Sequence, residues 1–250
     1  MPGVGPRGLA SPAVPLDWEP LPWDTDFFGV PIGRAELNAA DAESLDHLEA
    51  SARGAGISCL YGVLDPSGAA ESVLLQARGW RFVEAAIVFD LPPDWPRLPK
   101  PDGVEVRAGT PADIPVLEPL AALMAPWSRY AVDPRFGLTA AQRMQSAWLE
   151  RAARAETGQH SLTVAEAGGE IVAFLGHVHE PPRLDAVGTT RGGSGAATYL
   201  MQLALEDAGG RTLLAGPIAA RNVASMRYVY RSGFRPFQVE YLYHRWLDEE

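Results

Sequence analysis

A glycine-rich turn is the first place in this chain where residue types and spacing suggest binding chemistry. Gly192, Gly193 and Gly195 lie between a predicted strand and a predicted helix. Because glycine lacks a Cβ, the backbone amides of such a turn can approach an anion closely, and the N-terminus of the following helix adds partial positive charge. The turn therefore predicts a binding site for a pyrophosphate group.

Two common phosphate-binding motifs fit this turn poorly. A Walker P-loop ends in Gly-Lys-Ser/Thr, whereas Gly195 is followed here by Ala196 and Ala197. A Rossmann fingerprint places its third glycine where Thr198 stands, and it opens the first βαβ unit, whereas this turn lies late in the chain. A flexible loop leading into a glycine-rich helix start is the remaining alternative to a binding turn.

His177 and His179 are the second candidates for chemistry. Alternation along a predicted strand places both on one face, with Ile171, Ala173 and Leu175. Two histidines so spaced can ligate zinc, but no third cysteine or histidine is near them in the sequence, so we expect no metal site. Histidines on such a face are more commonly satisfied by hydrogen bonds or line a cleft, and general-base catalysis is the other alternative.

Composition excludes several classes of protein. The net charge of −10, without a basic cluster, argues against nucleic-acid binding. No apolar stretch reaches the roughly 18 residues of a membrane helix, so we expect no membrane span. Cys59 is the single cysteine, which precludes an intrachain disulfide and favours a cytoplasmic location. Residues 1–15 are rich in glycine and proline and lack the apolar core of a signal peptide, so we expect a disordered leader.

The elements that must position these residues fall on either side of a proline-rich segment, residues 92–103, which we expect to be an extended linker. Before it the pattern predicts strands at 16–18, 32–37, 57–64 and 81–91 and helices at 41–53 and 69–78. After it the pattern predicts strands at 104–108, 161–166, 171–179, 184–188, 212–216 and 236–246 and helices at 112–124, 139–155, 196–208 and 223–231. This order predicts an α/β (α+β) fold with a mixed sheet covered by helices on both faces.

The C-terminal half resembles the GNAT family of acyl-CoA-dependent N-acyltransferases, whose cofactor turn follows [Gln/Arg]-x-x-Gly-x-[Gly/Ala]. Gly195 and Ala197 match that pattern. Gly192 stands where Gln or Arg is expected, and Arg191 is the substitute one residue earlier. The resemblance implies the GNAT fold, with a mixed and mostly antiparallel central sheet flanked by helices.

The last helix adds a second point of resemblance, to the family's Asn-x-x-Ala-x-x-x-Tyr-x-x-x-Gly-Phe. Asn222, Gly233 and Phe234 match, Ser225 replaces the alanine, and Val229 occupies the tyrosine position. A narrower resemblance is to sugar-nucleotide amine acetyltransferases of the dTDP-fucosamine acetyltransferase type, which carry a half-sized GNAT-like N-terminal domain. It rests on residues 23–29, on Ser128, Arg129, Tyr130, Asp133 and Phe136, on Trp148, and on Glu240, Tyr241, His244 and Trp246. It implies a partial GNAT-like domain at 16–91 and a catalytic domain at 104–250.

The resemblance implies a set of cofactor and catalytic residues. Backbone amides at a strand bulge, 186–188, would polarise the thioester carbonyl. His177 or His179 would be the general base, with Glu180 and Asp185 nearby, because imidazole is well tuned at neutral pH. Tyr228 or Tyr230 would protonate the leaving thiolate, because Val229 cannot; the alternative is that both tyrosines are packing residues and the thiolate leaves unassisted. The cofactor-binding set is Val187, Gly188, Arg191, Gly192, Gly193, Ser194, Gly195, Ala196, Ala197 and Asn222.

Arg129, Asp133 and Glu180 are the candidates for contacts with the acceptor. An arginine can grip a phosphate with two hydrogen bonds, which would suit a nucleotide-linked sugar. The alternative is that Arg129 and Asp133 form a structural pair that fixes their own loop.

The expected function is acetyl transfer from acetyl-CoA to the amine of a small acceptor, with a nucleotide-linked amino sugar as the best candidate. The expected partners are CoA and that acceptor, with neither nucleic acid nor membrane, and a homodimer is compatible with the resemblance. The departures at Gly192 and Val229 favour an alternative, a GNAT-like protein that has lost acetyl transfer and binds a small ligand or catalyses another biosynthetic reaction.

Overall fold

The computed structural model describes residues 16–155, 158–190 and 195–248. Contacts group the chain into two units, Met1–Phe82 with Tyr243–Glu250, and Val83–Leu242. This boundary precedes the proline-rich segment that the sequence suggested as the divider. The leader predicted at residues 1–15 lies outside the described residues. None of the described helices is long and apolar enough to cross a membrane.

The first unit alternates strands and helices. In chain order it contains β1 (Trp18–Pro20), α1 (Pro22–Phe28), β2 (Ile32–Glu36), α2 (Ala42–Gly54), β3 (Cys59–Leu64), α3 (Ala69–Ala77), the start of β4 (Arg81–Leu91) and the end of β10 (Arg235–Trp246). Strand β1 is antiparallel to β2, and β2 is parallel to β3. The parallel pair is the arrangement that a βαβ connection through α2 requires.

Helix α2 follows the sequence prediction closely. Asp41 is its N-cap, since the Asp41 carboxylate accepts from the Ser44 amide at 2.8 Å. Leu45, Leu48 and Ala52, the predicted apolar stripe, are all buried. Helix α1 was not predicted, although Pro22 in its first turn and Gly29 in the left-handed conformation at its C-cap are ordinary helix boundaries.

The second unit carries the glycine-rich turn. Its elements are the rest of β4, then β5 (Val104–Ala108), α4 (Ile114–Ala122), α5 (Arg129–Val132), α6 (Gly137–Arg154), β6 (His160–Ala167), β7 (Glu170–His179), β8 (Pro182–Thr189), α7 (Ala196–Asp207), β9 (Leu213–Ala219), α8 (Val223–Arg231) and the first part of β10. The strand order is β10-β4-β9-β8-β7-β6-β5. Antiparallel pairs join β4 to β9 and run from β5 through β8, while β8 and β9 are parallel. The predicted mixed sheet is therefore confirmed.

Two apolar cores cover opposite faces of this sheet. Alternate residues of β7 divide between them: Ala173 and Leu175 pack with helix α7, whereas Phe174 packs with α4 and α6. Alternation accounts for this division, because successive side chains of a strand point to opposite faces. The predicted set is wrong at Ile171, near the start of β7, which packs with the α4 and α6 core and not with Ala173 and Leu175.

The proline-rich segment after β4 packs within the second unit. The indole of Trp95 lies so close to Gly233, just after α8, that a Cβ on Gly233 would be 2.1 Å from the ring. Trp95 also packs against the core beneath α7 and α8. This contact requires glycine at position 233, a packing role beside its resemblance to the family's Gly-Phe ending.

Gly216, in β9, is a second glycine of this unit that should tolerate a side chain poorly. Its φ is +103°, and an added Cβ would lie 2.7 Å from the Ile218 amide nitrogen and 2.8 Å from the Ile87 carbonyl oxygen. We expect Gly216→Ala to lower the free energy of unfolding by about 3 kcal/mol, because both backbone conformation and space are unfavourable. Urea denaturation measures the change.

The matched control is Gly210→Ala. Gly210 also has a positive φ, +85°, but its Cβ position is open. Gly210→Ala should lower the free energy of unfolding by only about 1 kcal/mol, because the backbone conformation alone is unfavourable there. Equal losses in the two variants would contradict the packing assignment at Gly216.

Candidate functional site

The central feature of the site is a gap between β8 and β9. The two strands pair only at Arg183–Leu184 with Leu214–Ala215. Beyond these pairs, within the described part of the chain, β8 stays paired with β7 and β9 with β4. The backbone edges of the two strands that face the gap are therefore not paired to each other, and an extended ligand can insert between them.

A bulge on each strand opens this gap. On β8, Gly176 and His177 of β7 face Ala186 and Leu184, so Asp185 is the extra residue. On β9, Ile87 and Phe89 of β4 face Ile218 and Ala215, so Gly216 and Pro217 oppose one residue. Bulges bend strands and change the direction of their backbone groups. The predicted bulge at 186–188 is thus observed one residue earlier, at Asp185.

Helix α7 begins at the open end of β8. Gly195 is its N-cap, with a φ of +72°, and Ala196 and Ala197 are buried against the sheet. Only small side chains fit there, so the helix N-terminus lies close to the strands. Arg191, Gly192, Gly193 and Ser194, the rest of the predicted pyrophosphate turn, lie outside the described residues.

The other predicted cofactor residues lie on β8 and at the start of α8. Val187 packs partly buried against the core beneath α7. Gly188 lies against the Phe174 ring, which a Cβ would approach to 2.3 Å. Asn222 is the N-cap of α8, where its Oδ1 accepts from the Ser225 amide at 3.1 Å. The structure brings these residues to the ends of β8 and β9 that adjoin α7 and α8.

The three residues around the family's tyrosine position have different environments. Val229 is 2% exposed in the core, whereas Tyr230 is 67% exposed. The Tyr228 hydroxyl is buried, with the Thr198 side chain in the first turn of α7 as an interacting neighbour. Burial raises the pKa of Tyr228 to about 12, against the lowering effect of Thr198. Tyr228 is therefore a protonated group between α7 and α8.

His177 and His179 lie on the α7 side of the sheet, at the C-terminal end of that helix. His179 Nδ1 is 2.9 Å from the Asp207 carboxylate, and His177 Nδ1 is 3.7 Å from it. Burial, followed by the neighbouring His179, lowers the pKa of His177. The general-base role of either histidine stays a prediction. Nδ1 of His179 already interacts with the Asp207 carboxylate.

Glu180 is separated from the other predicted acceptor residues. It follows β7 in the turn to β8 and forms an ion pair with Arg211 at 2.5 Å. Arg129 belongs to α5 instead, and Asp133 follows that helix as a fully buried residue whose carboxylate accepts from the Arg135 amide at 3.0 Å. The structure therefore groups Arg129 with Asp133 and leaves Glu180 elsewhere.

Sequence reasoning missed Glu84, the buried carboxylate beside Arg129. Glu84 lies on β4, is 8% exposed, and its Oε2 is 3.8 Å from Arg221 Nη2. Burial raises the pKa of Glu84 to about 7, against the opposing charges of Arg129 and Arg221. The Ala220 amide donates to the Ala85 carbonyl at 2.7 Å, which places Glu84 beside the end of β9 where the gap is open.

The two arginines are themselves fixed. Arg221 donates to the carbonyl oxygens of Pro126 and Ser128 at 2.9 and 3.0 Å. Arg129 donates to the Tyr130 hydroxyl at 2.8 Å, and its guanidinium lies 4.9 Å from the centre of that ring. The loop between α4 and α5 is thereby held against β9. A signal for Glu84 was present in the sequence, since it is the single charge in the apolar run from Phe82 to Phe89.

Comparison with known proteins identifies the fold. Neither a protein-family model nor a curated protein matches the sequence. Solved structures of GNAT acetyltransferases do match, so the chain has the GNAT fold. A GCN5-related N-acetyltransferase from Sphaerobacter thermophilus is 15% identical, with 92% of this chain and 76% of that chain covered and a TM-score of 0.54. One from Kribbella flavida is 14% identical, covers 86% and 80%, and has a TM-score of 0.54.

A third match resembles this chain over both units. It is a tandem GNAT protein from the clavulanic acid biosynthesis pathway, 15% identical, with 89% of this chain and 77% of that chain covered and a TM-score of 0.54. At these identities the likeness establishes the fold alone.

The unusual carboxyl of Glu84 should appear in the pH dependence of stability. The folded carboxyl, with a pKa of about 7, binds its proton more tightly than the unfolded one, with a pKa of 4.5. Stability is therefore lost as the pH rises between these values. Relative to Glu84→Gln, the free energy of unfolding of the wild type should fall by about 2 kcal/mol between pH 5 and pH 8.

Urea denaturation at several pH values measures this difference. Glu150→Gln, an exposed position on α6, is the control and should follow the wild type. Parallel pH curves for the wild type and Glu84→Gln would show that the Glu84 pKa is not raised.

Proposed function

We propose that this protein is an N-acetyltransferase that moves an acetyl group from acetyl-CoA to the amine of a small acceptor. The observation that carries the proposal is Glu84, a buried carboxylate with a pKa of about 7, at the open end of the gap between β8 and β9. The GNAT fold supports the cofactor, and Glu84 supplies the chemistry that the fold alone does not.

Amide formation from a thioester requires an uncharged amine. A base works best when its pKa is near the working pH, and an ordinary glutamate is too weak for this. Burial gives Glu84 the required strength, while Arg129 and Arg221 keep the carboxylate accessible to ionisation near neutral pH. Glu84 would take the proton of the acceptor amine as the nitrogen attacks the thioester carbonyl.

Two further requirements fall to groups around the gap. Backbone amides redirected by the β8 bulge at Asp185 would polarise the thioester oxygen. The carbon–sulfur bond then breaks, and Tyr228, whose hydroxyl also interacts with Thr198, would protonate the departing thiolate. The products are an N-acetyl acceptor and CoA, with the amine proton on Glu84 and Tyr228 as a phenolate. Loss of the Glu84 proton to solvent and uptake of one by Tyr228 would return both groups to their starting states.

The positions of the described cofactor candidates support binding of an extended CoA molecule. Gly195 and the small residues Ala196 and Ala197 keep the N-terminus of α7 close to the strands, and Asn222 begins the neighbouring helix α8. The amides of the turn that includes Gly193 would bind the pyrophosphate, and the pantetheine arm would lie between β8 and β9.

The acceptor class is the finer part of the proposal. Arg129 and Arg221 beside Glu84 favour an acceptor that carries both an amine and a negative group, and a nucleotide-linked amino sugar has both. A panel of amino-sugar nucleotides and simple amines, assayed by thiol release from acetyl-CoA, tests this. Binding of acetyl-CoA without thiol release from any amine would favour the alternative, a GNAT-like protein without transferase activity, which Val229 in the tyrosine position motivates.

Glu84→Gln should abolish the proton transfer without perturbing the fold. We expect kcat/KM to fall by about 10²–10⁴, and the rise of kcat/KM with pH through about 7 to disappear. Steady-state kinetics from pH 5.5 to 9 measure both, with Glu150→Gln as the control. An unchanged pH profile in Glu84→Gln would exclude Glu84 as the base.

Tyr228→Phe and Tyr230→Phe distinguish the two candidate acids. Tyr228→Phe should lower kcat by roughly 10–100-fold, whereas Tyr230→Phe, at an exposed position, should leave it unchanged. Removal of the Tyr228 hydroxyl should cost at most its interaction with Thr198, about 1 kcal/mol, and an unchanged Tm would show that the loss of activity does not reflect unfolding. Equal activities of the two variants would exclude Tyr228 as the acid.

A further inference from the structure

A cluster of metal-ligating side chains lies apart from the gap, at the far end of α7. It comprises His177 and His179 of β7 and Asp207, the last residue of α7. The sequence led us to expect no metal because no third ligand is near the histidines along the chain. The fold supplies that ligand from 28 residues further on.

The elements hold the three ligands in place. Alternation along β7 directs both rings to one face, where their centroids lie 4.6 Å apart. Helix α7 packs on that face and ends there, which brings Asp207 over the two rings. The C-terminal end of a helix is its negative pole, which disfavours a carboxylate and favours a cation. Asp207 and its neighbour Glu206 thus occupy a place where a bound cation would relieve their repulsion.

His177 gives an independent indication of a missing partner. It is 4% exposed, and its Nε2 is buried without a hydrogen bond among the described residues. A proton on Nε2 would therefore have no acceptor, and the lone pair of Nδ1 would face a carboxylate. A proton on Nδ1 would be too far from Asp207, at 3.7 Å, for a hydrogen bond. In the tautomer protonated at Nε2, a cation between Nδ1 and Asp207 would accept the lone pair of Nδ1 and offset the charge of the carboxylate that faces it.

The distances agree with a small tetrahedral ion. Bonds of about 2.0–2.1 Å in tetrahedral geometry separate neighbouring ligand atoms by about 3.3 Å. The two histidine nitrogens lie 2.9 and 3.7 Å from the Asp207 oxygen, and all three ligand atoms lie within 4.8 Å of one another. Small side-chain rotations would bring them to one ion.

We propose that His177, His179 and Asp207 bind a divalent transition-metal ion, Zn²⁺ by preference, with water completing the coordination. Imidazole and carboxylate ligands in tetrahedral geometry suit zinc, whereas calcium and magnesium prefer oxygen ligands alone. The bound ion would join the C-terminal end of α7 to β7. This site is independent of the proposed acetyl transfer, because none of its ligands contributes to the gap between β8 and β9.

The test is zinc binding by the full chain, free of any affinity tag and stripped of metal. Competition with a chromophoric chelator should show one Zn²⁺ per chain with micromolar or tighter affinity, and Tm should rise with zinc concentration. His179→Ala and Asp207→Asn should each weaken binding at least tenfold. These two side chains are partly exposed, so both variants should fold, unlike substitutions of the buried His177.

His47→Ala, which removes an exposed histidine of α2, is the matched control and should bind zinc as the wild type does. Absence of stoichiometric binding, or equal affinity in the wild type, His179→Ala and Asp207→Asn, would overturn the proposal.

Discussion

The arrangement of the second unit depends on the short length over which β8 and β9 pair. Only two residues of each strand form the parallel ladder, and the bulges at Asp185 and Gly216 then separate the strands. A parallel sheet normally satisfies its backbone groups by continuing the ladder. Here the ladder ends inside the sheet, and the helices that follow the two strands begin beside the opening. The gap is thus a consequence of strand pairing rather than of loop length.

Burial raises the pKa values of two side chains near this gap, Glu84 and Tyr228, to different levels. Glu84 lies on the side of β4 that meets α5, where loss of solvent raises its pKa to about 7. Tyr228 lies between α7 and α8, where loss of solvent raises its pKa to about 12. One group can change its protonation state near neutral pH and the other retains its proton. Environments that separate two pKa values in this way are typical of a catalytic base and acid, the roles proposed for Glu84 and Tyr228.

The sequence predicted what local patterns determine. Asp41 and the stripe Leu45, Leu48 and Ala52 carry enough information to place α2, because capping and helical periodicity are both local. Alternation likewise placed His177 and His179 on one face of β7. The boundaries of β8 and β9 were also close to those observed.

The remaining features depend on distant parts of the chain. In the sequence, Glu84 is one polar residue in an apolar strand, and its role emerges only when the fold brings Arg129 and Arg221 near it. Asp207 is likewise the polar end of a helix in the sequence, and only the fold places it over β7. The bulge at Asp185 depends on the register between two strands, which residue types alone do not specify. Helix α1 was missed because its seven residues are too few to show a periodic pattern.

The position of β4 has a consequence for how such a chain can evolve. Glu84 precedes the proline-rich segment in sequence, yet β4 pairs with β9 inside the second unit. A cut at the proline-rich segment, where composition suggests a boundary, would remove a strand and the proposed base from the unit that holds the predicted cofactor turn. Recombination between related genes at that boundary would therefore separate Glu84 from β9, so the two halves must be inherited together to keep this carboxylate in its sheet.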